Sequence, residues 1–223
     1  MIKHSYTIGH STLRKADIVK DLGIHIDVKM TFFVHILQLI PKSRKMMGFI
    51  LRNARDFKNI ETLRTPYIAL VRSNLEFGML VWNPIIEKYT EALERVQRHF
   101  LKYMYYRIFQ YYPVDVPYGE LLEGFEMESL KKRREICTFK FLYDLLRGRI
   151  PAGNLLQEIN IRVPRPSSKV TELSQIPYAR TKASELEVVD RACHLYNQLT
   201  KKIETGRGCI MVSIYFTSLG RNS

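Results

Sequence analysis

LRTPYIALVRSNLEFGMLVWNPIIEKYTEALERVQRHFLK, residues 63–102, is the stretch from which the rest of the chain can be read. Leu63, Tyr67, Leu70, Val71, Leu75 and Met79 recur at helical spacing in its first half. Tyr89, Leu93, Val96, Phe100 and Met104 do the same in the second half and just beyond it, with Glu91, Glu94, Arg95 and Arg98 between them. Trp82-Asn83-Pro84 separates the two runs. Proline has no amide hydrogen and restricts the residue before it, so the first helix has a chemical reason to stop there. The spacing predicts an antiparallel helix pair around a tight corner. Trp82, the sole tryptophan, is expected to plug that corner with its ring rather than stack on a base.

Toward the N-terminus, residues 5–9 and 20–26, with Gly9, His10, Ser11 and Thr12 at a turn, read as a small two-stranded antiparallel ribbon. Leu22, Ile24 and Ile26 alternate with Gly23 and His25, the period of a half-buried strand. Two strands alone are marginal in water, so the ribbon must pack on something. From Thr31 the pattern turns helical, with Thr31 placed to cap FFVHILQLI. Pro41 then predicts a kink or break. Beyond it, KSRKMMGFILRNARDF (42–57) puts Met46, Met47, Ile50 and Leu51 on one flank. Lys42, Arg44, Lys45, Arg52 and Arg55 share the opposite flank, where Phe49 is the exception. Between Lys42 and Arg64 there are seven basic residues and two acidic ones, a local balance of +5. Such a face has few internal partners and can lie along a phosphate backbone. An ordinary solvated helix face is the alternative.

Toward the C-terminus, Asn59 is placed to cap the next helix, and Pro66 implies that this helix begins later than its pattern suggests. The tyrosine-rich KYMYYRIFQYYPVDVPYG (102–119) reads as a boundary bracketed by Pro113 and Pro117. A short helix over 118–125 and a long one over 128–147 follow, the latter burying Leu130, Cys137, Phe141 and Leu145. Lys131, Lys132, Arg133 and Arg134 crowd its start, where the helix dipole is already positive. That placement calls for an anion, and Glu128 or Glu135 can supply it from within the chain. Gly148 ends the helix and Pro151 opens a short one. Residues 162–181 read as a loop, and 185–203 as a last amphipathic helix with Val188, Cys193, Tyr196 and Leu199 inward. The divisions are a ribbon over 1–29, a helical domain over 30–112, a second over 113–205 and an irregular tail over 206–223.

The composition, 46% hydrophobic and 26% charged over 223 residues, is that of a folded globular chain. A net charge of +13 and a pI near 9.7 favour a polyanionic partner. Cys137, Cys193 and Cys209 are far apart and odd in number, which supports neither a disulfide framework nor a zinc site. No secretory apolar segment opens the chain, and no apolar run approaches the ~20 residues that span a bilayer. The expectation is an intracellular protein of the nucleus or cytoplasm with no membrane partner. The seven aspartates include no adjacent pair, and there is no phosphate-binding glycine loop, GxSxG elbow or HExxH. No catalytic residue and no metal ligand set is expected.

The runs LVRSNLEFGMLVWNP and LERVQRHFLKYM resemble the region downstream of the polymerase core in non-LTR retrotransposon reverse transcriptases of the jockey and CR1 type. KDLGIHIDVKMTFFVHI, KMMGFILRNARDF and LKKRREICTFKFLYDLLRGRI fit the same pattern in the same order, and the resemblance covers residues 5–200. It implies a mainly α protein: a helical thumb-like bundle with a small N-terminal β-hairpin, followed by a second helical subdomain. The ribbon would adjoin the palm of an RNA-directed DNA polymerase. That palm would carry the catalytic aspartates and their magnesium, leaving this segment without cofactor or activity of its own. The thumb would grip RNA template and DNA primer, or their hybrid, through sugar and phosphate. The residues implied are Lys42, Arg44, Lys45, Arg52 and Arg55, with Arg95, Arg98 and Lys102 as further candidates. Two other readings stand beside this one: a helical interaction protein, a domesticated fragment meeting an acidic partner, and a non-functional relic of a decayed element.

Overall fold

The computed structural model describes residues 6–54, 59–84, 86–160 and 188–204. The chain is mainly helical, with two small hairpins at its N-terminal end. Strand β1 (Thr7–Ile8) pairs with β2 (Ser11–Thr12), and β3 (Ile18–Asp21) pairs antiparallel with β4 (Ile24–Asp27). The two sequence stretches taken for one ribbon therefore do not meet. Each closes on a local turn instead. Leu22 (φ 43°) and Gly23 (φ 86°) make the β3–β4 turn, both in the left-handed region that two-residue hairpins favour. The Asp27 carboxylate then orders the exit, accepting from the Lys29 and Thr31 amides at 3.0 and 3.1 Å and from the Thr31 hydroxyl at 2.9 Å.

Helix α1 (Phe33–Asn53) follows. Thr31 Oγ1 accepts from the Phe33 amide at 3.4 Å, although the residue adjoining the helix is Phe32 in a left-handed conformation. Contrary to expectation, α1 runs unbroken through Pro41. Pro41 withholds a donor from the Leu37 carbonyl, but both residues lie on the solvent side, where water can serve that oxygen. The opposite stripe, Ile36, Leu39, Ile40, Met47 and Ile50, is buried, and its packing outweighs a proline cost of about 3 kcal/mol.

The first half of the deciding stretch is more broken than its pattern suggests. Helix α2 (Ile60–Pro66) starts where Asn59 caps it, the side chain accepting from the Glu61 amide at 2.9 Å. Pro66 lies at the end of α2, not near the beginning of a later helix. The winding widens there to a π-helical segment, Tyr67–Arg72, before α3 (Ser73–Glu76). Gly78, at φ 64°, separates α3 from α4 (Met79–Trp82). A Cβ at Gly78 would stand 2.6 Å from Ile24 Cδ1, so glycine lets β4 close against the helix break. The corner then leads into α5 (Glu87–Phe109). Tyr67 stacks on Phe100 at 3.9 Å, so the chain folds back on itself after the corner. Trp82 is fully buried and donates its Nε1–H to the Phe77 carbonyl at 2.6 Å.

Beyond α5 come α6 (Tyr118–Gly124), α7 (Leu130–Leu146), α8 (Gly153–Glu158) and α9 (Val188–Glu204). Ser129 caps α7 through the Lys132 amide at 3.1 Å, and Gly148 (φ 67°) ends it. One buried cluster runs from Ile24 through α1, Tyr67, Val71, Trp82 and α5 to Leu121 and Leu130. A second gathers Leu142, Leu145, Ile159, Val189, Ala192 and Cys193. Apolar packing thus continues across residue 113, and the change of core occurs within α7. The loop expected at 162–181 and the tail at 206–223 lie outside the described residues.

Candidate nucleic-acid interface

The helical period of α1 sets its two flanks apart, and burial follows the division. Lys42, Arg44, Lys45 and Arg52 are all exposed, opposite the buried stripe. Among the described residues, no carboxylate lies within ion-pair distance of any of them. Phe49, on the same flank, is 53% exposed. Arg55 lies outside the described residues.

The predicted residues do not form one cluster. Arg44 joins Arg95 in a groove of about 360 Å³ where α1 packs on α5, floored by Met47, Gly48, Leu51 and Val96. Lys42 lines a different cavity, against the β3–β4 hairpin. Arg95 is tethered to Glu91 at 3.0 Å, an exposed i, i+4 pair of small energetic weight. Arg98 turns away from the groove, its guanidinium 4.7 Å from the centre of the Tyr118 ring. Lys102 is half-buried and lines neither space. The residue passed over in the sequence is His99, which completes the groove wall. Its signal was its spacing, one turn beyond Arg95 on the same face of α5.

The geometry of this groove is held from its far end. Arg107 donates to the Ala54 carbonyl at 2.8 Å, placing a cation at the C-terminus of α1, where the helix dipole is negative. The same guanidinium donates to the Tyr103 hydroxyl at 3.0 Å. A phosphodiester chain lying here would meet guanidinium and imidazole donors at the rim and apolar side chains beneath.

The basic block at the start of α7 is built quite differently. Lys131 pairs with Glu87 at 3.6 Å and Lys132 with Glu128 at 3.0 Å. Arg133 holds Glu76 through two hydrogen bonds, which keep its guanidinium above the ordinary value. Arg134 is buried 4.0 Å from Glu94, and burial pulls it below the ordinary value despite that carboxylate. Glu94 also accepts from the Leu130 and Lys131 amides at 3.3 and 2.6 Å, so it is the anion seated on the helix N-terminus. The compensation foreseen from Glu128 is present, and the rest comes from α3 and α5. Tyr118 donates to Glu94 at 2.7 Å, while Gln97 joins Tyr118, Tyr67 and the Glu128 carbonyl. Burial first, and Glu94 second, push the Tyr118 hydroxyl well above the usual phenol range.

Among the described residues, no group of three or more His, Cys, Asp or Glu side chains is placed to hold a metal ion. No described helix is long and apolar enough to cross a membrane. No protein-family model, curated protein or solved structure matches the chain.

Proposed function

We propose that the exposed flank of α1, with the groove it forms against α5, binds the sugar-phosphate backbone of nucleic acid without reading sequence. In this reading the chain is the post-palm, thumb-like part of a non-LTR retrotransposon reverse transcriptase, and its ligand is template-primer or an RNA/DNA hybrid. The observation that carries the proposal is the contrast in pairing. Lys42, Arg44, Lys45 and Arg52 stand in solvent without a carboxylate, in a molecule whose other basic block is fully paired. A row of unneutralised cations releases counterions from a polyanion and so gains affinity at low salt. The outward apolar side chains of the hairpins, Ile8, Val19, Leu22 and Val28, also support a further body packed at that end, as a palm would be.

A second reading rests on the groove floor. Met47, Leu51 and Val96 under Arg44 and Arg95 also suit an acidic amphipathic helix from a protein partner. Fluorescence anisotropy separates the two, using a labelled RNA/DNA hybrid across a salt series. For Arg44→Ala/Lys45→Ala/Arg52→Ala, affinity should fall at low salt and the log–log salt slope should shrink by about 2–3. Unchanged affinity and slope would remove the nucleic-acid reading.

A further inference from the structure

A second space lies on the other side of α1, between the β3–β4 hairpin and α3. Lys20, Gly23 and His25 line it from the hairpin, His35, Gln38, Leu39 and Lys42 from α1, and Asn74 with Phe77 from the far wall. Its volume is about 150 Å³, far more than the ~10–15 Å³ that admits one water. No carboxylate lines it, so two ammonium groups and two imidazoles face a common space with nothing negative among them.

Two buried ring nitrogens here have no hydrogen-bond partner, His25 Nδ1 and His35 Nε2. The rings lie 6.2 Å apart, and His35 is only 6% exposed. A buried polar atom without a partner is costly unless something fills the gap. Asn74 is already engaged, its Nδ2 donating to the Leu70 carbonyl at 2.5 Å. A protonated imidazole nitrogen here needs an acceptor, and no lining side chain offers a negatively charged one.

We propose that this cavity is a binding site for an oxyanion of the phosphate class, held by Lys20, His25, His35 and Lys42. The ammonium groups supply charge from the mouth, where both lysines are exposed. The imidazoles stand behind them and add positive charge when protonated. In the ligand-free protein, burial first, then His25 and Lys42, holds His35 below the ordinary histidine value. A bound oxyanion reverses that balance by stabilising both imidazolium ions. The titratable groups facing His35 are His25 from β4, Lys20 from β3 and Lys42 from its own helix. Asn74, Phe77 and Trp82, the last 5.2 Å from His35, are neutral. The phosphate can be free or the terminal group of a nucleic-acid strand, since Lys42 also belongs to the basic flank of α1.

Histidine NMR of the full chain tests this, with pH titrations in chloride and in inorganic phosphate at matched ionic strength. Phosphate should raise the midpoints of His25 and His35 by about one unit, a tenfold preference for the protonated forms. His10 and His194 should not move. The measurement is repeated on Arg44→Ala/Lys45→Ala/Arg52→Ala, which lacks the proposed nucleic-acid flank but retains all four ligands, so the two proposals fail separately. Lys20→Ala/Lys42→Ala should weaken phosphate binding about tenfold or more, the scale of a lost charge-assisted contact. Both positions are exposed, and Trp82 emission confirms that the variant is folded. Equal shifts at all histidines, or a full response in the lysine variant, would overturn the site. A response to a 5′-phosphorylated oligonucleotide but not to its 5′-hydroxyl form assigns it to strand ends. A response to inorganic phosphate alone assigns it to the free ion.

Discussion

The start of α7 and the outer flank of α1 each present four cations on about one helical stretch, and the molecule treats them in opposite ways. Lys131, Lys132, Arg133 and Arg134 are each within 4.0 Å of a carboxylate, drawn from four different glutamates. Lys42, Arg44, Lys45 and Arg52 have none among the described residues. A dense basic run in sequence therefore says little about what is free to bind. What matters is whether acids from distant elements fold onto it. Desolvation makes pairing obligatory for Arg134, which is buried, while water screens the α1 row and leaves it available.

The sharpest way to break this comparison is at Glu94. Glu94→Ala removes the anion from the α7 N-terminus and strands Arg134 in the core. It should cost about 3–5 kcal/mol in urea denaturation followed by Trp82 emission. A cost below about 1 kcal/mol would mean the block is not held by that carboxylate. Tyr118→Phe keeps the ring beneath Arg98 but deletes the hydroxyl between Glu94 and Gln97, with an expected loss of about 1.5–3 kcal/mol. The α1 row should behave in the reverse sense. Each of Arg44→Ala, Lys45→Ala and Arg52→Ala should alter stability by no more than about 0.5 kcal/mol while weakening hybrid binding.

Acid offers a smaller test at the foot of α1. Burial, the largest single influence, raises the Asp27 carboxyl, but the Thr31 amide and hydroxyl and the Lys29 and Phe32 amides together outweigh it. The group sits below its ordinary value. The folded state thus holds fewer protons than the unfolded chain in that range. Its stabilising contribution is complete above the unfolded carboxyl's titration and disappears as pH falls through the depressed folded value. Thermal melts of Asp27→Asn should therefore be less acid-sensitive between about pH 5 and 3 than those of the parent chain.

Much of the helical framework was legible in the residues. The period in 63–109 marked the buried set of α5, from Leu93 and Val96 to Phe100 and Met104, and Pro84 marked the corner that Trp82 fills. Asn59 and Gly148 stood at the helix ends they predicted. Two prolines misled because a residue's own preference yielded to packing, and one glycine broke a periodic run. Pro41 stayed inside α1 because its neighbours bury a long stripe. Pro66 was absorbed by widening the helix into a π-helical segment, and Gly78 split a run whose apolar spacing showed no interruption.

The α1–α5 groove was only half legible. Amphipathicity separated the basic flank of α1 from its core flank, because that division follows from helical geometry alone. Pairing Arg44 with Arg95 and His99 needed the crossing of two helices far apart in the chain. Of the glutamates that neutralise α7, Glu128 was in view from the sequence, whereas Glu76, Glu87 and Glu94 escaped notice for the same reason: charges along one helix obey its period, whereas charges between helices obey only the fold. By itself, then, the sequence determined which residues share a face, through the fixed turn of the helix. Only the tertiary structure decided which cations are neutralised and which stay open to a ligand, because Coulomb attraction and desolvation act through space between elements that the chain order does not bring together.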